Sequence, residues 1–142
     1  MYRITVFVCL FTVSFFSQAQ DEILGYWMAG EGASIIEIYK DEKNAYHGKV
    51  VWLAEPMDKK GRPKVDGANQ DRALRGREII GINMLQDLLY EEPVWKGTLY
   101  VPKRGRTVNA TVSLSNPDEL DLEISVMGRT ANRKWVRTEA PK

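Results

Sequence analysis

Cysteine and histidine are nearly missing from this chain of 142 residues, which contains one of each. The single cysteine, Cys9, lies in an apolar stretch near the N-terminus, so the rest of the chain has no thiol and no disulfide. Thiol catalysis and thiolate metal sites are therefore excluded from that part of the chain. His47 by itself also excludes a metal site built from several imidazoles of one chain.

A serine–histidine–aspartate site would have to use His47. The candidate nucleophiles lie in predicted strands, without the sharp turn that exposes a nucleophile, and they are Ser34, Ser113, Ser115 and Ser125. A lone histidine in a strand is more often a surface residue than a general base, because catalysis also needs a nucleophile and an orienting group within reach. We therefore expect no catalytic residue, no cofactor and no enzymatic activity.

Long hydrophobic runs are also absent, apart from one near the N-terminus. Arg3 precedes an apolar segment from Ile4 to Phe16, and small residues follow it up to Ala19. This order is typical of a secretory signal peptide, and the apolar segment is shorter than the ~20 residues that span a bilayer. The sequence predicts a signal peptide over 1–19, cleaved near Ala19, and a single domain over 20–142. We expect that domain in the periplasm or secreted, without a membrane span.

No excess of either charge remains once this leader is set aside. The chain carries 20 basic and 19 acidic residues, and removing Arg3 leaves 19 of each. A neutral chain with mixed charges has no general attraction to nucleic acid or to an anionic membrane. We expect a monomer without a nucleic-acid partner. A small molecule and another envelope protein are the partners that stay open.

Short alternating segments separated by turn residues fill most of the remaining chain. Apolar residues recur at every second position, which is the period of a half-buried strand. The segment 84–91 has leucines at helical spacing, but it is brief and ends at a turn, so we interpret it as a strand. About eight antiparallel strands with one apolar face each avoid exposed edges by closing on themselves. The predicted fold is all-β, an up-and-down barrel with strands over 24–28, 33–40, 45–53, 84–91, 94–101, 107–115, 120–126 and 133–138.

One long insertion, residues 54–83, interrupts the strand pattern. Its stretch 66–81 contains three acidic residues and three arginines. Either Asn69 or Asp71 can cap a short helix over Arg72–Arg75, because their side chains accept hydrogen bonds from free backbone N–H groups. The barrel is therefore expected to carry one insertion with a short helix.

The polar residues of the insertion allow two interpretations. Asp66, Asn69 and Asp71 are hard oxygen ligands, with Asp58 nearby, but their spacing is not that of a known calcium loop. The alternative is an ion-paired loop in which Asp71 meets Arg75 four residues later. We favour the ion-paired loop and expect no metal.

Ordering the insertion costs about 1–2 kcal/mol of backbone entropy per residue, so the segment needs anchors. Leu74, Ile79 and Ile80 are expected to pack against the barrel. Arg75 and Arg77 can donate charge-assisted hydrogen bonds to nearby carboxylates or to carbonyl oxygens at strand ends. In the functional alternative, the same two arginines face the barrel mouth and receive an acidic group of a ligand or partner.

The tryptophans bear on barrel closure and on the lumen. In a closed barrel the first and last strands are neighbours, so Arg137 can lie over the ring of Trp27, a contact worth about 0.5–2 kcal/mol. This Gly-x-Trp start with a late arginine resembles the lipocalin-like superfamily. Trp52 and Trp95 are candidate lining residues of the lumen, although a tryptophan is more often part of the core.

A longer set of motifs covers nearly the whole predicted mature domain: Val51-Trp52-Leu53, Glu55-Pro56, Asp66-x-x-Asn69-x-Asp71-x-x-Leu74-Arg75-x-Arg77-x-x-x-Gly81, Trp95-x-Gly97-x-x-Tyr100, Gly128-Arg129-Thr130 and Trp135-x-Arg137. This set resembles the bacterial domain-of-unknown-function family 2147. The resemblance implies a small exported protein with a lipocalin-like barrel and no established activity.

Two functions are compatible with such a barrel, because barrels of about eight strands either fill with side chains or hold one small ligand. We favour an exported protein that binds a small, partly apolar molecule in the barrel. The alternative is a filled barrel whose charged insertion docks another envelope component. The free volume inside the barrel distinguishes the two.

Overall fold

Eight antiparallel strands form one closed barrel in this computed structural model, which describes residues 16–142. Each strand pairs with the next in sequence, and β1 also pairs with β8. The predicted all-β, up-and-down barrel is confirmed. The predicted signal peptide lies outside the described residues except for its last four positions. The strands are β1 (Gly25–Ala29), β2 (Ser34–Lys40), β3 (Tyr46–Leu53), β4 (Asn83–Glu91), β5 (Val94–Val101), β6 (Arg106–Asn116), β7 (Glu119–Val126) and β8 (Arg129–Thr138).

Helical structure is confined to short pieces. A five-residue helix, α1 (Phe16–Gln20), runs into a 3-10 turn at Asp21–Ile23, and a second 3-10 turn spans Arg72–Leu74 in the insertion. Within residues 16–142, no helix combines the length and the apolar character needed to cross a membrane.

The segment 84–91 is confirmed as a strand, and a bulge in β4 explains its helix-like leucine spacing. The register between β4 and β5 shifts ahead of Leu89, and Asp87 adopts a positive φ of 52°. The extra residue reverses the alternation. Leu85 and Leu88 are therefore both fully buried, whereas Leu89 is 56% exposed.

The last strand begins at Arg129, ahead of the predicted start at 133. Met127 and Gly128 both adopt positive φ, 48° and 76°, which closes a two-residue hairpin directly after Val126. The run of polar residues that begins β8 carries no alternating apolar signal, so the sequence pattern missed this part of the strand.

One end of the barrel is filled and covered. The indole nitrogen of Trp27 donates to the carbonyl oxygen of Ile23 at 2.9 Å, and that of Trp95 donates to the carbonyl oxygen of Gln20 at 3.1 Å. The carboxylate of Asp21 accepts hydrogen bonds from strand residues as well. The chain ahead of β1 therefore covers this end, beneath which lie the core side chains Trp27, Ile36, Ile38, Tyr46, Val50, Leu85, Leu88, Trp95, Val112, Leu120, Leu122 and Trp135.

Arg137 ties the two ends of the barrel sheet together. Its guanidinium carbon lies 4.2 Å from the centre of the Trp27 ring, directly across the β1–β8 pairing. The same group donates to the carbonyl oxygens of Pro117, Leu24 and Glu22 at 2.7–2.9 Å. The predicted contact between Arg137 and Trp27 is therefore present, and it forms part of the barrel closure.

Candidate functional site

An open cavity of about 970 Å³ lies at the end of the barrel opposite the covered end. Strand ends from β2 to β5, the turns between β1 and β2 and between β5 and β6, and the insertion together form its wall. Its volume falls within the range of about 300–1,000 Å³ that is usual for small-molecule sites. The walls include the apolar side chains Leu53, Val65, Ile79, Met84 and Val101, and the charged residues Glu31, Glu55, Asp58, Lys64 and Lys103 also line it.

The insertion is held on the barrel by a carboxylate with no solvent exposure. Asp66 is 0% exposed, and its oxygens accept hydrogen bonds from Tyr100 on β5 at 2.6 Å and from Asn69 at 2.8 Å. Arg77 donates one further hydrogen bond to the same carboxylate through Nε at 3.0 Å, and its Nη2 lies 2.9 Å from the same oxygen as an ion pair. Charge-assisted bonds of this kind are stronger than neutral ones, so Asp66 joins both ends of the motif to the barrel wall.

These hydrogen bonds also set the titration of the site. Burial alone would raise the pKa of Asp66, but the bonds from Tyr100, Asn69 and Arg77 outweigh it and hold the pKa below its ordinary value. Burial and the neighbouring Asp66 carboxylate raise the pKa of Tyr100. Asp66 is therefore ionised and Tyr100 protonated around neutral pH.

The remaining motif residues fix the loop between Asp66 and Arg77. The side-chain oxygen of Asn69 accepts from the backbone N–H of Asp71 at 2.8 Å, and the Asp71 carboxylate accepts from the N–H of Ala73 at 2.9 Å. Asp71 is thus the cap of the short 3-10 turn. Arg75 donates to the carbonyl oxygen of Asn69 at 2.7 Å. The structure gives all five predicted motif residues partners within the protein.

The loop also touches the barrel at a glycine. Gly105, in the turn between β5 and β6, is buried and has φ of 60°. A Cβ at this position would overlap the carbonyl oxygen of Ala68 and lie 2.6 Å from its carbonyl carbon. The backbone of the insertion therefore rests on the bare Cα of Gly105.

Two details of the predicted anchoring are wrong. Leu74 and Ile80 do not pack into the barrel, since they are 38% and 40% exposed, whereas Ile79 does pack against the core. The fully enclosed anchor is Ile82, which is 4% exposed and whose carbonyl oxygen accepts from Val50 of β3 at 2.9 Å. Polar bonds to the barrel replace most of the expected apolar anchors.

The predicted ion pair between Asp71 and Arg75 is also not formed. The predicted helix is a single 3-10 turn of three residues, Arg72–Leu74. Such a turn places residues three apart over one another, so the spacing of four does not bring the two side chains together.

The two predicted lining tryptophans lie elsewhere. Trp95 is 2% exposed within the filled end, and Trp52 is half-buried away from the cavity wall. The register between β2 and β3 shifts at Ile35, which faces Trp52, because β3 carries an extra residue there. That bulge turns Leu53 toward the cavity in place of Trp52.

His47 lies on the outside of the barrel in a groove of about 580 Å³. Its Nε2 lies 2.9 Å from an oxygen of Asp41, and its Nδ1 accepts from the backbone N–H of Asp87 at 3.3 Å. Nε2 therefore carries the proton, and both ring nitrogens are in use. Among residues 16–142, no three histidine, cysteine or acidic side chains come together in a way that could hold a metal ion.

A closed eight-stranded barrel with one covered and one open end defines a lipocalin-like protein. Protein HP1028 from the human pathogen Helicobacter pylori, described as belonging to the lipocalin family, matches this chain with a TM-score of 0.69. The two are 20% identical, and the match covers 82% of each chain. At this identity, the likeness shows the fold alone.

The family is shown by sequence. The model of the family described as "Uncharacterized protein conserved in bacteria (DUF2147)" matches residues 25–137. The chain belongs to this family, which confirms the resemblance drawn from the motifs. No curated protein matches the chain.

Proposed function

We propose that this protein is an exported, periplasmic barrel that binds a small, partly apolar molecule in the cavity at its open end. The observation that supports this proposal is the cavity of about 970 Å³ itself. Side chains fill the covered end, but they leave this volume at the other end, where a barrel made only for stability would be closed by packing. The apolar walls and charged surroundings are typical of a site for a molecule with both apolar and polar parts.

The wall that the insertion contributes is fixed in advance. Asp66 is buried against Tyr100 of β5, and the backbone at Ala68 rests on Gly105. A preformed wall lowers the cost of binding, because less conformational freedom is lost when the ligand enters. The motif residues therefore support binding by shaping the cavity.

Export is the second part of the proposal. The residues that follow the predicted cut belong to the folded barrel, because Gln20 accepts a hydrogen bond from Trp95 and Asp21 binds Lys40 at 2.8 Å. A cut near Ala19 would leave these contacts in place. N-terminal sequencing of the protein from a periplasmic extract should begin at Gln20 or within a few residues of it, whereas an intact N-terminus in the membrane fraction would contradict export.

Two glycines of the insertion allow a matched test of the cavity. Neither Gly67 nor Gly76 has a left-handed φ, and a Cβ at either position would meet no atom within 4 Å. Gly67 lines the cavity, whereas Gly76 does not. Gly67→Trp should therefore reduce binding of the neutral fluorescent probe N-phenyl-1-naphthylamine at least about tenfold, since a bulky ring displaces the ligand. Gly76→Trp should bind the probe like the parent.

Probe titrations with matched melting curves decide the outcome. Equal binding by both variants would place the probe outside the cavity, and no binding by the parent would contradict the proposed function. Native mass spectrometry of protein isolated from the periplasm adds an independent measurement, in which a co-purifying small molecule is expected with the parent and Gly76→Trp but not with Gly67→Trp.

The second candidate is a module that docks another envelope component through the insertion. One observation favours it: of the large apolar side chains that are exposed among residues 16–142, four lie in the insertion, namely Met57, Val65, Leu74 and Ile80. Exposed apolar groups gathered on one segment are typical of an interaction surface. This candidate predicts that the parent and both tryptophan variants bind the small probe equally poorly.

A further inference from the structure

Arginines occupy inner-face positions where β8 approaches the open end of the barrel. Successive residues of a strand point to opposite faces, so Arg133 lies on the same face as Trp135, which is 4% exposed in the core. The pairing agrees, since Arg133 stands opposite the buried Leu122 of β7. Arg129 is four residues further toward the open end, so it shares this inner face.

A third arginine continues the same surface toward the cavity. Arg106, the first residue of β6, stands directly opposite Val101 of β5. Val101 packs against the core and lines the cavity, and Lys103 lines it as well. Residues directly opposite each other in an antiparallel pair share one face of the sheet, so Arg106 borders the cavity wall.

These three arginines, which we call the basic strip, have no acidic partner in the described part of the chain. Arg133 donates only to the neighbouring carbonyl oxygen of Asn132, at 2.9 Å. The outer face of the same strand differs, because Lys134 lies 3.2 Å from Glu119 and 3.9 Å from Asp121. Lys134 on the outer face of β8 is therefore paired, whereas Arg129 and Arg133 on the inner face near the open end have no acidic partner.

Inner positions of a barrel strand are normally apolar, and the neighbours of the basic strip follow that rule. Val108 and Ile124, on the same face, pack against the core. A guanidinium group is weakly hydrated and matches the shape of a carboxylate or phosphate, which it can bind through two hydrogen bonds. Unpaired arginines beside apolar side chains therefore suit the acidic end of a molecule whose other end is apolar.

The acidic residues that line the cavity offer limited opposition to an anion. Glu55 lies 3.5 Å from Lys64, and Asp58 lies 2.9 Å from Arg62, so both carboxylates are paired. Glu31 is in the turn between β1 and β2. An acidic head group would therefore be drawn toward the basic strip and away from Glu31.

We propose that Arg106, Arg129 and Arg133 form an anion-binding subsite, and that the ligand of the cavity is an amphiphile with a carboxylate or phosphate head group. Arg106 and Arg129 are two strands apart, which is about 10 Å across the sheet, and Arg129 and Arg133 are about 13 Å apart along β8. An apolar tail in the cavity and a head group on the basic strip would span neighbouring parts of one open end. This inference rests on the proposed function, since it needs the cavity to hold the tail.

The test compares three ligands with the same twelve-carbon chain: dodecanoate, dodecyl phosphate and neutral dodecanol, each measured by displacement of N-phenyl-1-naphthylamine. The parent should bind at least one of the two acids about tenfold to a hundredfold more tightly than the alcohol, which is the range expected for charge-assisted hydrogen bonds. The acid with the larger preference identifies the head group. Acetate and inorganic phosphate alone should not displace the probe, because they lack the tail.

The variant Arg106→Gln/Arg129→Gln/Arg133→Gln should lose this preference and still bind dodecanol like the parent. Its matched control, Lys43→Gln/Lys59→Gln/Arg72→Gln, removes the same net charge from exposed positions outside the cavity and the basic strip. The control should keep the preference. Unchanged dodecanol binding in both variants shows that they remain folded.

The outcomes separate the two proposals. Equal binding of acid and alcohol by the parent, or an arginine variant that keeps its preference, would overturn the anion subsite and leave the cavity proposal standing. Failure of the parent to bind any of the three chains would overturn the cavity proposal and the subsite with it. Arginine-dependent binding to phosphatidylglycerol vesicles, without binding of the soluble amphiphiles, would assign the arginines to a membrane surface and would also overturn the subsite.

Discussion

Asp66→Asn is expected to lower the free energy of unfolding by about 3 kcal/mol, because it removes the charge that Tyr100, Asn69 and Arg77 all stabilise. The asparagine fills the same space but offers one oxygen and one NH₂ group to three donors. Arg77 is 36% exposed and can recover some solvation, so the loss stays below that of a fully enclosed pair. Thermal unfolding should show a melting temperature lower by about 10 °C.

The matched control for this change is Asp58→Asn. Asp58 also pairs with an arginine, Arg62 at 2.9 Å, but in an exposed part of the insertion. Exposed ion pairs contribute about 0–1 kcal/mol, so this variant should melt close to the parent. If both variants lost the same stability, the burial of Asp66 would not be what makes it important.

The same substitution should change the response to acid. The folded pKa of Asp66 lies below its ordinary value of 3.8, so the unfolded chain binds the proton more readily. The stabilisation is therefore complete above the ordinary value and is lost as the pH falls through the lower, folded pKa. Asp66→Asn should lack this component, and its stability relative to the parent should converge at low pH. A constant difference down to pH 2 would contradict the assignment.

Gly105→Ala should destabilise the protein by about 2–4 kcal/mol. The added methyl group would overlap the carbonyl of Ala68, and the positive φ of 60° is itself unfavourable for alanine. To relieve the overlap, the insertion must move away from the turn between β5 and β6. Relative to the parent, the variant should therefore show faster hydrogen exchange for the backbone amides of residues 54–82, with a smaller change for those of the strands.

Gly128→Ala separates the two causes. Gly128 also has a positive φ, 76°, but a Cβ there would meet no atom within 4 Å. This control should lower the free energy of unfolding only through the unfavourable backbone conformation, by about 1–2 kcal/mol, and should leave hydrogen exchange in the insertion unchanged. Equal losses for both variants would mean that the contact between Gly105 and Ala68 contributes nothing.

Strand alternation predicted most of the barrel because each segment carries its own signal. Residues 107–115 alternate strictly, and the observed strand β6 extends them by one residue at each end. The sequence pattern missed two kinds of position, namely those where an extra residue breaks the period and those where a strand begins with a polar run. The bulge at Ile35 turned Leu53 to the cavity instead of Trp52, and the hairpin at Met127 started β8 early.

The candidate site was less predictable, since its contacts join distant parts of the chain. Asp66 and Tyr100 are 34 residues apart, and both belong to motifs, but no local pattern says that they touch. Arg75 and Arg77 were recognised as anchors, yet their acceptors depend on how the insertion folds back. Arg129 belongs to the motif Gly128-Arg129-Thr130, but no local pattern brings the three arginines of the basic strip together, because only the pairing with β5 and with β7 assigns their faces.

The pairing of β1 with β8 has a consequence for the order of events if the chain is exported as proposed. If the N-terminus crosses the membrane first, β1 arrives at the outset, but its second partner arrives only with the final strand. Until then, β1 and the most recently delivered strand both have unpaired edges, which other chains can join. Residues 129–138 therefore complete the closed sheet. A chain that is being translocated can aggregate until these residues have crossed the membrane.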